Sequence, residues 1–202
     1  MGLLGRMGTG KSTLLKICAG IVAPDSGWVE IDGHRYTRPR HSVLAARGLF
    51  YLGELDNLVR TMTVRAHFDA IRRRFGDWGT DEQIDHLNVE PILDQKVGSL
   101  SGGEIKRAEI ALALARRPRL LLADELLKSA DPILCELMGG SLRVLASRGC
   151  AVVVTGHEVN LLRPFLDSVI LVTSGTTYSL GNADEAWSHD GFRREYLGSA
   201  LV

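Results

Sequence analysis

The run Gly5-Arg6-Met7-Gly8-Thr9-Gly10-Lys11-Ser12 constrains this chain more than any other feature. It follows the apolar segment Gly2-Leu3-Leu4 and precedes a short helical stretch, Thr13 to Gly20, so its glycines join a strand to a helix. Glycines let the backbone turn with its N–H groups aimed inward, and the helix behind adds its positive N-terminal end. A turn of that kind belongs in an alternating arrangement of strands and helices.

The rest of the chain supplies the alternation. Leu120–Ala123, Ala151–Thr155 and Val169–Thr173 are continuous apolar runs that predict buried strands, and Gly48–Leu52 is a shorter one. Between them, Val64, Phe68, Ile71 and Phe75 recur at helical spacing, a helix with a wide apolar face runs from Ile105 to Ala115 ahead of Pro118, and another spans Ile133–Arg148. Buried runs separated by helices imply a parallel sheet covered on both faces. Trp28–Ile31, Asp32-Gly33 and the stretch to Tyr36 form a hairpin signal, and Thr80-Asp81-Glu82-Gln83 has the pattern of a capping box. From about Thr61 to Gly98 no strand is expected. The predicted class is α/β: a core with a mostly parallel sheet flanked by helices, a small antiparallel part, and a helical insert.

Composition limits the partners. The 202 residues suit a single domain, with an α/β core at 1–60 and 101–202 and the insert at about 61–100. An apolar share of 45% against 24% charged excludes a disordered or collagen-like chain. Lys+Arg and Asp+Glu are both 24, so no basic field favours nucleic acid. Arg72-Arg73-Arg74 point in different directions on a helix and read as a solvated face. No apolar run reaches the ~18–20 residues of a membrane span, and a myristoylation signal would need Ser or Thr where Arg6 stands. Cys18, Cys135 and Cys150 have no metal spacing and read as buried thiols in a reducing cytoplasm.

Three motifs carry chemistry. The glycine-rich run fits the P-loop pattern, which makes this a P-loop NTPase core. Gly5, Arg6, Met7, Gly8, Thr9, Gly10, Lys11, Ser12 and Thr13 are the expected phosphate cradle, with Lys11 reaching the β- and γ-phosphates and the Ser12 hydroxyl on magnesium. The strand Leu120–Ala123 ends in Asp124-Glu125, at the carboxyl edge where open α/β sheets bind ligands. Asp124 suits magnesium. Glu125, on the other side by strand alternation, suits orienting or deprotonating water. The third motif, Leu100-Ser101-Gly102-Gly103-Glu104, opens a helix that Ser101 can cap, and its glycines allow close approach to an anion. One chain cannot easily present two helix N-termini to one γ-phosphate; a second subunit can.

This order of motifs over essentially the whole chain resembles the ATP-binding cassette (ABC) ATPases, and LSGG is specific to that family. The resemblance implies ATP and Mg2+ as cofactors and hydrolysis of ATP to ADP and phosphate. It implies a homodimer or paired ABC ATPase subunit, each site completed by the other copy's Ser101, Gly102, Gly103 and Glu104. Asp131 matches the D-loop aspartate, and His157 the switch histidine at the γ-phosphate. The partners implied are membrane permease subunits, with no nucleic acid, so the chain would be cytoplasmic and peripheral on the inner face of the membrane. The tail Phe192–Gly198 and the run Met62-Thr63-Val64-Arg65 are similar to lipopolysaccharide-export and branched-chain amino-acid transporter ATPases.

The sequence also departs from the family pattern. Alignment on Met62-Thr63-Val64 puts Glu54 in the place of the Q-loop glutamine, where a carboxylate still suits magnesium but adds negative charge beside the phosphates. Leu126 replaces a proline, Lys128 enters the approach to the D-loop as a solvated charge, and Glu104 replaces glutamine. Lys11 has ten residues before it, without the aromatic residue that stacks on adenine in the family: either the true start lies upstream, or adenine is bound without that platform, with weakened nucleotide affinity and poor base discrimination expected. The alternative to a transporter ATPase is an ATP-responsive regulatory module with little hydrolysis.

Overall fold

The apolar triplet ahead of the glycine-rich run is strand β1 (Gly2–Leu4), and it lies inside the main sheet. The computed structural model describes residues 1–54, 57–76, 80–128 and 130–196. After β1 come helix α1 (Lys11–Cys18), the hairpin strands β2 (Val29–Ile31) and β3 (His34–Tyr36), helix α2 (His41–Ala46) and strand β4 (Leu49–Leu52). Helices α3 (Val64–Phe75), α4 (Thr80–His86) and α5 (Gly102–Arg116) follow, then β5 (Leu120–Ala123), α6 (Pro132–Ser147) and β6 (Ala151–Gly156). The remaining described elements are α7 (Val159–Leu162), β7 (Val169–Thr173), β8 (Thr176–Ser179), α8 (Ala183–Ser188) and α9 (Asp190–Tyr196).

The main sheet runs β4-β5-β6-β1-β7-β8, parallel throughout except for the β7–β8 pair. Apart from the exposed edge strand β8, its strands are largely apolar on both faces because both are covered. Leu4, Leu121 and Leu171 pack into a large core with α5 and α6, while their neighbours Leu3, Leu122 and Val172 join Leu15 of α1 and Leu44 of α2 on the other face. Successive strand residues alternate between the two layers, as a pleated sheet requires. Each leucine so enclosed contributes about 1.5–3 kcal/mol of transfer free energy. The α/β class, the mostly parallel sheet and the small antiparallel pair β2–β3 stand as expected.

The helical segment is clasped at its base. Val64 and Arg65 donate their N–H groups to Gln95 and Leu93, and Val97 and Gly98 donate to Met62 and Arg60. Thr63 caps α3 by accepting from the Ala66 N–H. Helices α3 and α4 then pack on α5, which also packs on α6.

Several elements differ from expectation. Helix α1 begins at Lys11, not Thr13, because Gly10 adopts φ 96° and serves as its N-cap. Strand β8 was not foreseen: its residues are all exposed, so no apolar alternation marks it, and only the Ser174-Gly175 turn with both φ positive announces the hairpin. Helix α8 is closed by a capping box between Asn182 and Glu185, and its Trp187 meets Phe192 of α9 at a ring distance of 5.0 Å. The capping box expected at Thr80–Gln83 rests on side chains outside the described residues, as do Leu197 and Gly198 of the tail.

Candidate functional site

The glycine-rich run leaves β1 at the carboxyl edge of the sheet and returns as α1. Gly5 is tied to that path, since a Cβ there would run into the Val172 carbonyl oxygen. At Gly10 the backbone is left-handed where α1 begins, and no side chain caps the first N–H groups of that helix. A Cβ at Gly8 or Gly10 would meet open space within 4 Å. Lys11 is buried, its Nζ donating to the carbonyls of Gly5 at 2.6 Å and Arg6 at 3.0 Å. Burial lowers the pKa of that ammonium, against the pull of the Glu125 and Asp124 carboxylates. Arg6, Met7, Gly8 and Thr13 stand exposed around it, and the Thr9 hydroxyl donates to the Arg6 carbonyl at 2.9 Å.

Strand β5 delivers the carboxylates. Asp124 is 2% exposed, and its Oδ1 accepts from the Ser12 hydroxyl at 3.0 Å and the Thr155 hydroxyl at 2.6 Å. Tyr51 of β4 lies beside it. Burial first, then the Asp124 carboxylate, pushes the Tyr51 phenol up to about 12. The Glu125 direction departs from the sequence argument. Strand β5 ends at Ala123, and Glu125 takes φ 53°, so alternation does not set its side chain. Instead its N–H donates to Thr155 Oγ1 at 2.9 Å, and its carboxylate meets His157 Nδ1 at 2.9 Å. With Glu125 ionised, that ring nitrogen carries the proton.

Met7, Gly8, Gly10, Lys11, Ser12, Thr13, Glu54, Glu125, Lys128 and His157 line one cavity of about 380 Å³. Asp124 lies beneath it. Glu54 is not free within this cavity: Lys128 forms an ion pair with it. The hydrogen bond from Lys128 holds the Glu54 carboxyl below its ordinary pKa, and Glu54 raises the lysine. Lys128 is therefore no isolated surface charge. Ser101–Glu104 do not line the cavity; Ser101, Gly102 and Gly103 lie exposed at the start of α5. Asp131, also exposed, caps α6 by accepting from the Leu134 N–H at 2.8 Å.

Comparison with known proteins places the chain. A family model described as ABC transporter matches residues 1–128. The chain belongs to the ABC transporter ATPase family. It is an ATP-binding, ATP-hydrolysing subunit of the transporter type. A probable ABC transporter ATP-binding protein of Azorhizobium caulinodans is 32% identical over 98% of this chain and 73% of its own length. The lipopolysaccharide export ATP-binding protein LptB of Haemophilus influenzae is also 32% identical, over 98% of this chain and 85% of that protein. An ATP-binding cassette solved in its ADP conformation shares the fold, with TM-score 0.81 at 20% identity over 98% of this ABC ATPase and 88% of that chain. A dimeric cassette in a post-hydrolysis state with ADP and phosphate has TM-score 0.74 at 25% identity, over 89% of this chain and 84% of its own.

Sequence reasoning missed Thr155, which joins Asp124 to the Glu125 backbone in this ABC ATPase. Its signal was a hydroxyl at the carboxyl end of an otherwise apolar strand. The β5–β6 register that pairs Ala123 with Val154 brings residue 155 beside Asp124.

Proposed function

We propose that two copies of this chain, or one copy and a paired ABC ATPase, bind Mg2+-ATP between them and drive a separate membrane permease. The observation that carries this reading is the network Ser12–Asp124–Thr155–Glu125–His157 beside Lys11, five residues brought together at one open cradle by two strands, β5 and β6, and helix α1.

The residues fit both parts of the ligand. Uncapped N–H groups at α1, the open space above Gly8 and Gly10, and the Lys11 ammonium suit a polyphosphate. One hydroxyl and one buried carboxylate, already hydrogen-bonded, suit magnesium, which takes few protein oxygens and fills its octahedron with water and phosphate. When bound, that ion neutralises charge on the β- and γ-phosphates. Ser12 and Asp124 would hold it, with Glu54 a further carboxylate lining the same cavity. Glu125 accepts a proton from the attacking water or orients it, and His157 fixes the Glu125 carboxylate while facing the γ-phosphate. Ser101, Gly102, Gly103 and Glu104 serve the other copy's ATP, and Asp131 lies at the seam between copies. Among the described residues no helix is long and apolar enough to cross a membrane. In this reading the chain sits at the inner face of the membrane through the permease.

Replacing Glu125 with glutamine tests the assignment. The variant is expected to bind ATP and to stay paired, while hydrolysis falls by roughly 10²–10⁴-fold, the usual size of a general-base contribution. Unimpaired hydrolysis in that variant would sink the role. Steady-state phosphate release by the unaltered protein separates an ATPase from a regulatory module, which would show almost none.

A further inference from the structure

Glu54 and Lys128 are two departures from the family pattern, far apart in the sequence, and the fold joins them. Strands β4 and β5 are parallel neighbours with Leu52 opposite Ala123, so the segments following them leave the sheet together. There the Lys128 ammonium binds the Glu54 carboxylate, and both line the cavity with Lys11, Ser12, Glu125 and His157. The Lys128 backbone N–H also donates to the Glu125 carbonyl at 3.0 Å, which ties the lysine to the loop holding that carboxylate. The two side chains are 45% and 40% exposed, and ion pairs in such positions add little to folding stability. Their consequence lies in the charge of the cavity.

Two cations, Lys11 and Lys128, and two carboxylates, Glu54 and Glu125, face this cavity, with Asp124 buried below. Removing Lys128 would leave Lys11 as the one lysine lining the cavity against three carboxylates, with Lys16 and Lys106 acting on Glu54 only from outside the lining. We propose that Lys128 is a positioning residue for nucleotide: it neutralises and holds aside the carboxylate at position 54, so that the site keeps its affinity for a polyphosphate. The two departures are then one unit. The proposal rests on the nucleotide-site reading above. It assigns to Lys128 a role that acts through Glu54 rather than by contact with the reacting atoms.

ATP affinity of the full chain in EDTA is the test, since without magnesium any ligation of metal by Glu54 drops out. Lys128→Met is expected to weaken ATP binding about tenfold, the scale of one uncompensated charge at short, partly screened range. Glu54→Gln should tighten binding slightly. The double variant should recover most of the affinity lost in Lys128→Met. Additive effects, or no recovery in the double variant, overturn the proposal, as does a lowered melting temperature with unchanged affinity in Lys128→Met. A Lys11→Met control separates the two levels of the argument. If it binds ATP as well as the unaltered protein, the nucleotide site itself is wrong and the proposal falls with it. If it loses binding while the Glu54 and Lys128 effects are additive, only the compensation is wrong.

Discussion

Two helices in this molecule begin with glycine-rich, polar sequence, and their first turns are finished in opposite ways. Helix α1 starts after Gly10 with no side-chain cap and no acidic residue in its first turn, and its first residue is the buried Lys11. Helix α5 starts after Ser101 with a closed capping box. The Ser101 oxygen accepts from the Glu104 N–H at 3.4 Å, and the Glu104 carboxylate accepts from the Ser101 N–H at 2.8 Å and its hydroxyl at 2.7 Å. A helix start normally needs four donors satisfied. At α1 no side chain takes them, and the buried Lys11 ammonium lies beside them. At α5 the chain satisfies its own donors and leaves the turn exposed, stable before anything arrives. The first suits a ligand bound by a single chain, as proposed above. The second suits a contact made from outside.

The sharpest way to break this comparison is at α1. Lys11→Met should lower ATP affinity by about 2–5 kcal/mol, the range for truncating one partner of a desolvated charge pair. Because burial already penalises the Lys11 charge, the fold should survive, with little change in melting temperature. Calorimetric titration and a thermal melt together check it; a collapse of the fold would mean that Lys11 is chiefly structural. An effect of similar size, on hydrolysis rather than on binding, is expected at the other helix. Ser101→Arg should leave ATP binding by a single chain intact and cut hydrolysis by roughly 10²–10³-fold, the scale for losing a donor to transition-state charge. Loss of ATP binding in that variant would place Ser101 in its own chain's site and erase the contrast.

What could be read from the sequence follows from where each interaction lives. The cradle, the Asp124-Glu125 pair and the cap at Ser101 are contiguous residues with fixed spacing, and their local geometry follows from glycine and helix-start rules. The buried strands were legible because both faces are covered, which leaves runs such as Leu120–Ala123 apolar throughout. Thr155 and the Glu54–Lys128 pair were not legible, because they arise from strand register across separations of 30 and 74 residues. The direction of Glu125 has a different cause from strand alternation: two residues past the end of β5, a positive φ ends the alternation on which the argument relies. The capping box at α5 was half read. Ser101 reads as a cap and Glu104 only as a replacement for glutamine, although Ser-x-x-Glu is the signature of a reciprocal cap.

That half-read residue gives the smallest and most specific test. The hydrogen bonds from Ser101 hold the Glu104 carboxyl below its ordinary value of 4.5. A depressed carboxyl pKa means that the folded state favours the ionised form, so the stabilisation is present above that value and is lost as pH falls through the lower, folded one. Glutamine also completes a capping box but does not titrate in this range. Glu104→Gln should therefore melt slightly below the unaltered protein near neutral pH, and the gap should close as the pH drops below about 4. The side chain is largely solvated, so the gap amounts to a few tenths of a kcal/mol, as for other exposed charge-assisted contacts. A gap that widens on acidification would show that the α5 start is not closed by an ionised Glu104. It would then no longer be the self-satisfied counterpart of the open start at α1.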